Sequence, residues 1–141
     1  MKKKPLLIIT ALAAVALGTA VVMSEYGRKP EQAAAMEEVA TVSATDLLKA
    51  FVTDEQAATN TYVGKAEQAI VVQGVVRAVE PGDAGKVNVV LATDDAMAGI
   101  ICEFAKADVP AAWKAGDTVR IKGICTGYLI DVILNRCAPV E

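Results

Sequence analysis

Three cysteines, Cys102, Cys125 and Cys137, are the residues with the widest chemical repertoire in this 141-residue chain. A thiol can ligate a metal, attack an electrophile or join a disulfide, and the surrounding residue types decide among these. Zinc sites favour four ligands with closely spaced cysteine or histidine pairs. Here the cysteines lie 23 and 12 positions apart and the chain contains no histidine, so no metal is expected. A cysteine nucleophile needs a base to raise its thiolate fraction, and the usual imidazole is missing. The absence of histidine also removes the common hydrolase triad. Glycine-rich loops of the phosphate-cradling kind are absent too. Asp54 and Glu55 are adjacent carboxylates, but neighbours on a helix point in different directions and cannot converge on one substrate. The chain therefore reads as a non-enzyme without cofactor, and cross-linking is the chemistry left to its thiols.

Whether thiols can oxidise depends on compartment, and the N-terminus speaks to that. Lys2, Lys3 and Lys4 precede an uncharged run from Pro5 to Met23. As a helix its 19 residues would span roughly 28 Å, against a hydrocarbon core of about 30 Å. A cleaved signal peptide has a shorter apolar region, and although Gly18-Thr19-Ala20 could be cut, Val21, Val22 and Met23 carry the run past it. The reading is a membrane anchor at residues 1–23, with secretion as the outcome if the leader is removed. The basic start favours a cytoplasmic N-terminus and an exported remainder, placing the C-terminal part in the bacterial cell envelope. No cysteine follows the run to accept a lipid. Residues 24–42, mixed in charge and rich in alanine, are expected to form an exposed tether.

From Ser24 onward the balance is 11 basic to 17 acidic residues. That argues against a surface built to neutralise phosphates. Of the 141 residues, 54% are hydrophobic, much of this lying in the leader and in alanine. The rest has the size of one domain, residues 43–141.

The elements that must position the chemistry follow from periodicity. Ser43 is a helix cap, and Leu47, Leu48, Phe51, Val52 and Ala58 recur at helical spacing, predicting one packed helix ending near Asn60 or Thr61. Beyond it the pattern turns to β-branched alternation. Strands are predicted over 65–80, 86–93, 99–104, 118–125 and 131–137. Gly74 inside the first marks a bulge or sharp bend, and "PGDAG" is a turn. A segment around Pro110 and Trp113 supplies a possible helical turn between the third and fourth strands. Five strands, a bend-inducing glycine and that insertion describe an all-β fold with a small α addition: a five-stranded Greek-key barrel of the OB type, preceded by one packed α-helix and an N-terminal transmembrane helix.

"LLKAF", "YVGK", "GVV", "VVL" and "CEF", and above all "KAGDTVRIKGICTGY" with "DVILNRC", resemble the tRNA_anti-like family of OB-fold proteins. The resemblance covers about residues 43 to 139 and implies the fold more than a function. Members include bacterial envelope proteins and lipoproteins, mostly without an assigned activity.

On such a barrel the fourth and fifth strands are antiparallel neighbours, so Cys125 and Cys137 lie on opposite arms of one hairpin and form the favoured disulfide. Cys102 with Cys137 is the competing pair, and free buried thiols the third possibility. The OB ligand face uses the second and third strands with the loops joining strands one to two and four to five. Tyr128 in the latter loop and Lys86, Arg120 and Lys122 are the candidate ligand-binding residues. One tyrosine and three cations beside acidic neighbours make a poor single-strand nucleic-acid groove, so nucleic acid is an unlikely partner. The expected role is a membrane-tethered module binding an envelope protein, a glycan or a small polar molecule. The rival is a structural envelope spacer.

Overall fold

The computed structural model describes residues 33–63 and 68–141. The apolar run from Pro5 to Met23, the tether up to Gln32, and Gly64 to Glu67 lie outside the described residues.

Ser43 caps the helix as its position predicts. Its hydroxyl accepts the Asp46 N–H at 3.1 Å and opens α1 (Ala44–Thr53), whose inward face is Ala44, Leu47, Leu48 and Phe51. The expected single helix is instead two. Asp54 has an extended backbone, and its carboxylate accepts the Ala57 N–H at 3.0 Å to start α2 (Glu55–Tyr62). Asp54 thus serves as a cap, satisfying a donor that the helix start would otherwise leave orphaned.

The β-branched runs form the predicted strands. β2 (Gln68–Pro81) is long because it serves two partners. Its first half, Ile70 to Val75, pairs antiparallel with β5 (Thr118–Tyr128), and its second half, Val76 to Pro81, with β3 (Lys86–Leu91). The register shifts between Val76 and Ala78, just beyond Gly74. A Cβ on Gly74 would come within 2.9 Å of the Ala44 Cβ, so glycine lets the start of α1 press directly on the strand where it changes partner. β3 pairs antiparallel with β4 (Ile100–Ala105), and β4 pairs parallel with β6 (Val132–Val140). β6 pairs antiparallel with β5, which returns to β2 and closes the barrel. This is the five-stranded OB topology, with no free edge between β2 and β5.

Residues 33–42, read from sequence as the end of a tether, are folded. After a 3-10 turn at Ala33–Ala35, β1 (Glu37–Ser43) adds a sixth strand parallel to the first half of β2, from Glu37 opposite Gln68 to Ser43 opposite Gln73. Ala33 and Met36 bury against Ala69 and Ile124 in a satellite cluster outside the barrel. Val39, Thr41 and Val42 suit the pleat, and β1 satisfies backbone groups on an edge of β2 that the barrel leaves unpaired.

The core is apolar throughout, with no buried polar or charged side chain among the described residues. Each fully buried side chain such as Leu47, Phe104, Ile121 or Leu134 contributes about 1.5–3 kcal/mol. α1 supplies part of it: Phe51 stacks on Tyr128 with ring centroids 5.7 Å apart and meets Tyr62 at 6.4 Å. Between β4 and β5 the insertion holds a single 3-10 turn, Lys106–Asp108, and Trp113 packs edge-on to Phe104 at 5.8 Å.

Candidate functional site

The OB ligand face corresponds here to the outward side of β3 and β4 with the β2–β3 and β5–β6 loops. Alternation fixes which side chains it presents. Val89 and Leu91 point inward with Ile100, Cys102 and Phe104, so Lys86, Asn88, Val90, Ile101 and Glu103 point out. The register aligns them in two rows. One row is apolar: Ala78, Val90, Ile101 and Ile133, running across β2, β3, β4 and β6. The next is polar and acidic: Glu80, Asn88 and Glu103.

The apolar row leads to two loops tied together at one end of the barrel. The Gly99 N–H donates to the Asp131 carboxylate at 2.7 Å, and the Val132 N–H to the Gly99 carbonyl at 3.1 Å. These contacts join the β3–β4 and β5–β6 loops, on which Met97 is 84%, Leu129 84% and Ile130 68% exposed. The first loop is internally braced: Arg77 donates to the Asp95 and Ala98 carbonyls, and the Thr93 hydroxyl to that of Ala98. Three bulky apolar tips on a braced frame beside an apolar row are an unusual concentration of exposed hydrophobic surface. Asp94, Asp95 and Asp131 border it.

Of the residues singled out from sequence, the structure does not gather one site. Lys86 lies on the ligand face, but its ammonium pairs with Glu103 at 2.7 Å, so the row there is not basic. Arg120 and Lys122 lie on β5, which neighbours β2 and β6 but neither strand of that face. Arg120 donates to the Glu141 carbonyl at 3.2 Å, and Lys122 to that of Met36, holding the N-terminal turn. Tyr128 is half-buried against Phe51 as packing. What the sequence reading missed is the apolar row. Its signal was present in Val90, Ile101 and Ile133, apolar residues at the outward parity of their strands.

The three cysteines do converge. All are buried free thiols in the barrel core. The expected Cys125–Cys137 bridge is not formed, and the register places Cys125 opposite Leu134. Strict alternation from Leu134 would turn Cys137 outward. Arg136, at φ 50, breaks that alternation: Asn135 pairs with Ile124 and Ala138 with Lys122, leaving Arg136 and Cys137 together opposite Gly123. The bulge swings Cys137 inward. Burial pushes the Cys125 thiol up to about 11 from an ordinary 9.0, against a lowering hydrogen bond from the Gly127 backbone. Cys137 is raised well above its usual value by burial and by a hydrogen bond with the Cys102 thiol. At neutral pH both are protonated and poor nucleophiles.

The family model that matches the chain, tRNA_anti-like, spans residues 1–138. The chain belongs to the tRNA_anti-like family. This is a family of OB-fold binding domains, in keeping with the barrel described above. Among solved structures, the chain resembles a putative nucleic acid-binding lipoprotein from Klebsiella pneumoniae subsp. pneumoniae MGH 78578, with a TM-score of 0.55 at 20% identity, covering 80% of this chain and 100% of that one. A putative aspartyl-tRNA synthetase from Leishmania major Friedlin matches at a TM-score of 0.40 and 10% identity, over 82% of this chain and 22% of its own. No curated protein matches the chain significantly. Among the described residues no helix is long and apolar enough to cross a membrane.

Proposed function

We propose that the chain is a membrane-tethered, extracytoplasmic OB-fold module that binds another envelope protein through the outward face of β3 and β4. The single observation that carries this reading is the apolar row Ala78, Val90, Ile101 and Ile133, continued by Met97, Leu129 and Ile130. Apolar surface of this kind, rimmed by polar groups, is the usual core of a protein interface. The rim here is acidic, so the matching segment of the partner carries apolar side chains flanked by basic ones. A glycan would be better served by hydroxyl and amide groups. Those line a separate open groove of about 500 Å³ at Thr41, Ser43, Thr45, Gln73 and Thr118, away from the OB face. The envelope location is supported by the basic start and uncharged run of the sequence, and by the lipoprotein name of the Klebsiella structure.

Site-specific photocrosslinking in intact cells tests the reading. A crosslinker at Ile101 or Ile130 is expected to give one discrete protein adduct, and one at exposed Gln73 none. An Ile101→Glu variant that keeps its unfolding midpoint should lose the adduct formed from position 130. Adducts that are equal from all positions, or absent from the face, would leave the chain as a structural spacer.

A second reading, single-strand nucleic-acid binding, is favoured only by the name of the Klebsiella structure. The ion-paired Lys86 and the absence of an aromatic from both rows weigh against it. Fluorescence anisotropy with a single-stranded oligonucleotide in low salt separates the two, and saturable binding weakened by Lys86→Ala would favour nucleic acid.

A further inference from the structure

We propose that the groove between β1, the start of α1 and the middle of β2 is a second binding site, for an uncharged oligosaccharide, separate from the protein-docking face of β3 and β4. The groove follows from the way the sheet is built. β1 and β3 run along the same edge of β2, because β5 holds the other edge from Ile70 to Val75, and Gly116 and Asp117 bond Val76 on that side. β1 ends at Ser43 opposite Gln73, where the chain turns into α1, and β3 ends at Leu91 opposite Val76. Gly74 and Val75 are left between the two strand ends, and Gly74 has no side chain to fill the gap. Ala92 bounds the far end, its N–H donating to the Val75 carbonyl at 2.8 Å. The groove that results has a volume of about 500 Å³, within the roughly 300–1,000 Å³ of small-molecule sites.

The lining decides the ligand class. The hydroxyls of Thr41, Ser43, Thr45 and Thr118 and the carboxamide of Gln73 surround the groove, Val42, Val75 and Ala92 fill the spaces between them, and no lining side chain is charged. The register sets the polar groups side by side, Ser43 next to Gln73 and Thr118 next to Val75. Internal bonds leave part of their capacity over. The Ser43 oxygen accepts the Asp46 N–H at 3.1 Å and keeps its proton to donate, while the Thr41 hydroxyl donates to Glu38 at 2.6 Å and keeps lone pairs to accept. Arg120, opposite Gln73 on β5, donates to the Glu141 carbonyl at 3.2 Å. A saccharide matches this surface: its hydroxyls both donate and accept, its C–H faces suit valine and alanine methyls, and it needs no counter-charge. An anionic ligand would meet Glu38 at one end and, past Thr45, Asp94 and Asp95 at the other. Large apolar anchors of the kind that dock a protein segment are absent from this lining and lie on the β3–β4 face instead.

The test is an NMR titration of the full isotope-labelled chain, in a detergent without a sugar headgroup, with chitotetraose. This oligosaccharide is uncharged, and its acetamido groups offer the Gln73 carboxamide both a donor and an acceptor. Saturable shifts are expected at the amides of Ser43, Thr45, Gln73, Val75 and Thr118, and none at Val90 or Ile101. Gln73→Ala and Thr118→Val, both at exposed positions, each remove one neutral hydrogen-bonding group and should weaken binding about threefold to tenfold. Asn88→Ala, on the β3–β4 face, should leave the affinity unchanged. Tetragalacturonate, of the same length but with a carboxylate on every ring, should give no saturable shift. Absence of saturable shifts with chitotetraose, shifts centred on Val90 and Ile101, unchanged affinity in both groove variants, or equal binding of tetragalacturonate would each overturn the proposal.

Discussion

Gly123 sits in the middle of β5, and a Cβ placed on it would meet the Cys137 sulfur at 2.7 Å, the Leu134 Cβ at 3.1 Å and its Cδ2 at 3.2 Å. Its backbone is outside the left-handed region, so alanine there meets packing and not a dihedral penalty. Overfilling a close-packed core costs about 1–3 kcal/mol. Alanine also restricts the unfolded chain, which offsets about 0.4–1 kcal/mol. Gly123→Ala is therefore expected to destabilise the reduced protein by about 1–2 kcal/mol. Cys137→Ala removes the nearest obstacle and costs about 1 kcal/mol by itself, as a lost core atom does. In the double variant the new methyl occupies space vacated by the sulfur, so the two changes should cost less together than separately, with a coupling of about 1 kcal/mol or more. Urea unfolding followed by fluorescence under reducing conditions measures this through the midpoint at constant m-value. If the two costs add to within about 0.5 kcal/mol, or if Gly123→Ala alone is stabilising, Cys137 is not packed where the bulge puts it, and the account of β6 fails.

Removing the barrel plug should be severe: Phe51→Ala is expected to cost about 3–5 kcal/mol in the same urea assay, because the ring is fully buried and stacked on Tyr128. Stability should fall at alkaline pH. Burial pushes the folded Cys125 thiol up to about 11 from an ordinary 9.0, so the unfolded chain loses its proton first and stability on the order of 3 kcal/mol is lost as pH rises from 9 to 11. Urea midpoints across that window should decline less steeply in Cys125→Ala. Asp54→Ala removes the cap of α2 and should cost about 0.5–2 kcal/mol in thermal unfolding. Lys86→Ala should change the midpoint by less than about 1 kcal/mol, since its ion pair is solvent-exposed.

The barrel was legible because its information is local. β-branched alternation marks five strands, Gly74 marks the place where β2 changes partner, and Ser43 marks the helix start, each through a preference of a few neighbouring residues. The break at Asp54 was legible in principle as well: an aspartate followed by Glu55 and alanines is a cap as readily as an interior residue, and the apolar periodicity through Ala58 masked it. β1 was hidden by composition. Alanine and glutamate before Val39 favour a helix or a tether, and only the unpaired edge of β2, a property of the closed barrel, makes a strand there worthwhile.

The thiol cluster depends on something that no period-two reading can supply. A one-residue bulge inverts the facing of every side chain beyond it. Counted from Leu134, Cys137 belongs outside. The residue that reverses it is Arg136, an amino acid with no special preference for positive φ, held at 50° by the pairings on either side. A trace nevertheless remains across the hairpin. Between β-branched Ile121 and Ile124, Gly123 is a costly choice for a strand on propensity alone. It opposes Arg136 and Cys137 together, and any side chain there would strike the inward-turned sulfur. The glycine on β5 and the bulge on β6 are two halves of one packing solution, which turns the Cys137 sulfur into the core beside Gly123. Strand order says which strands adjoin, and a bulge decides which side chains along them turn inward.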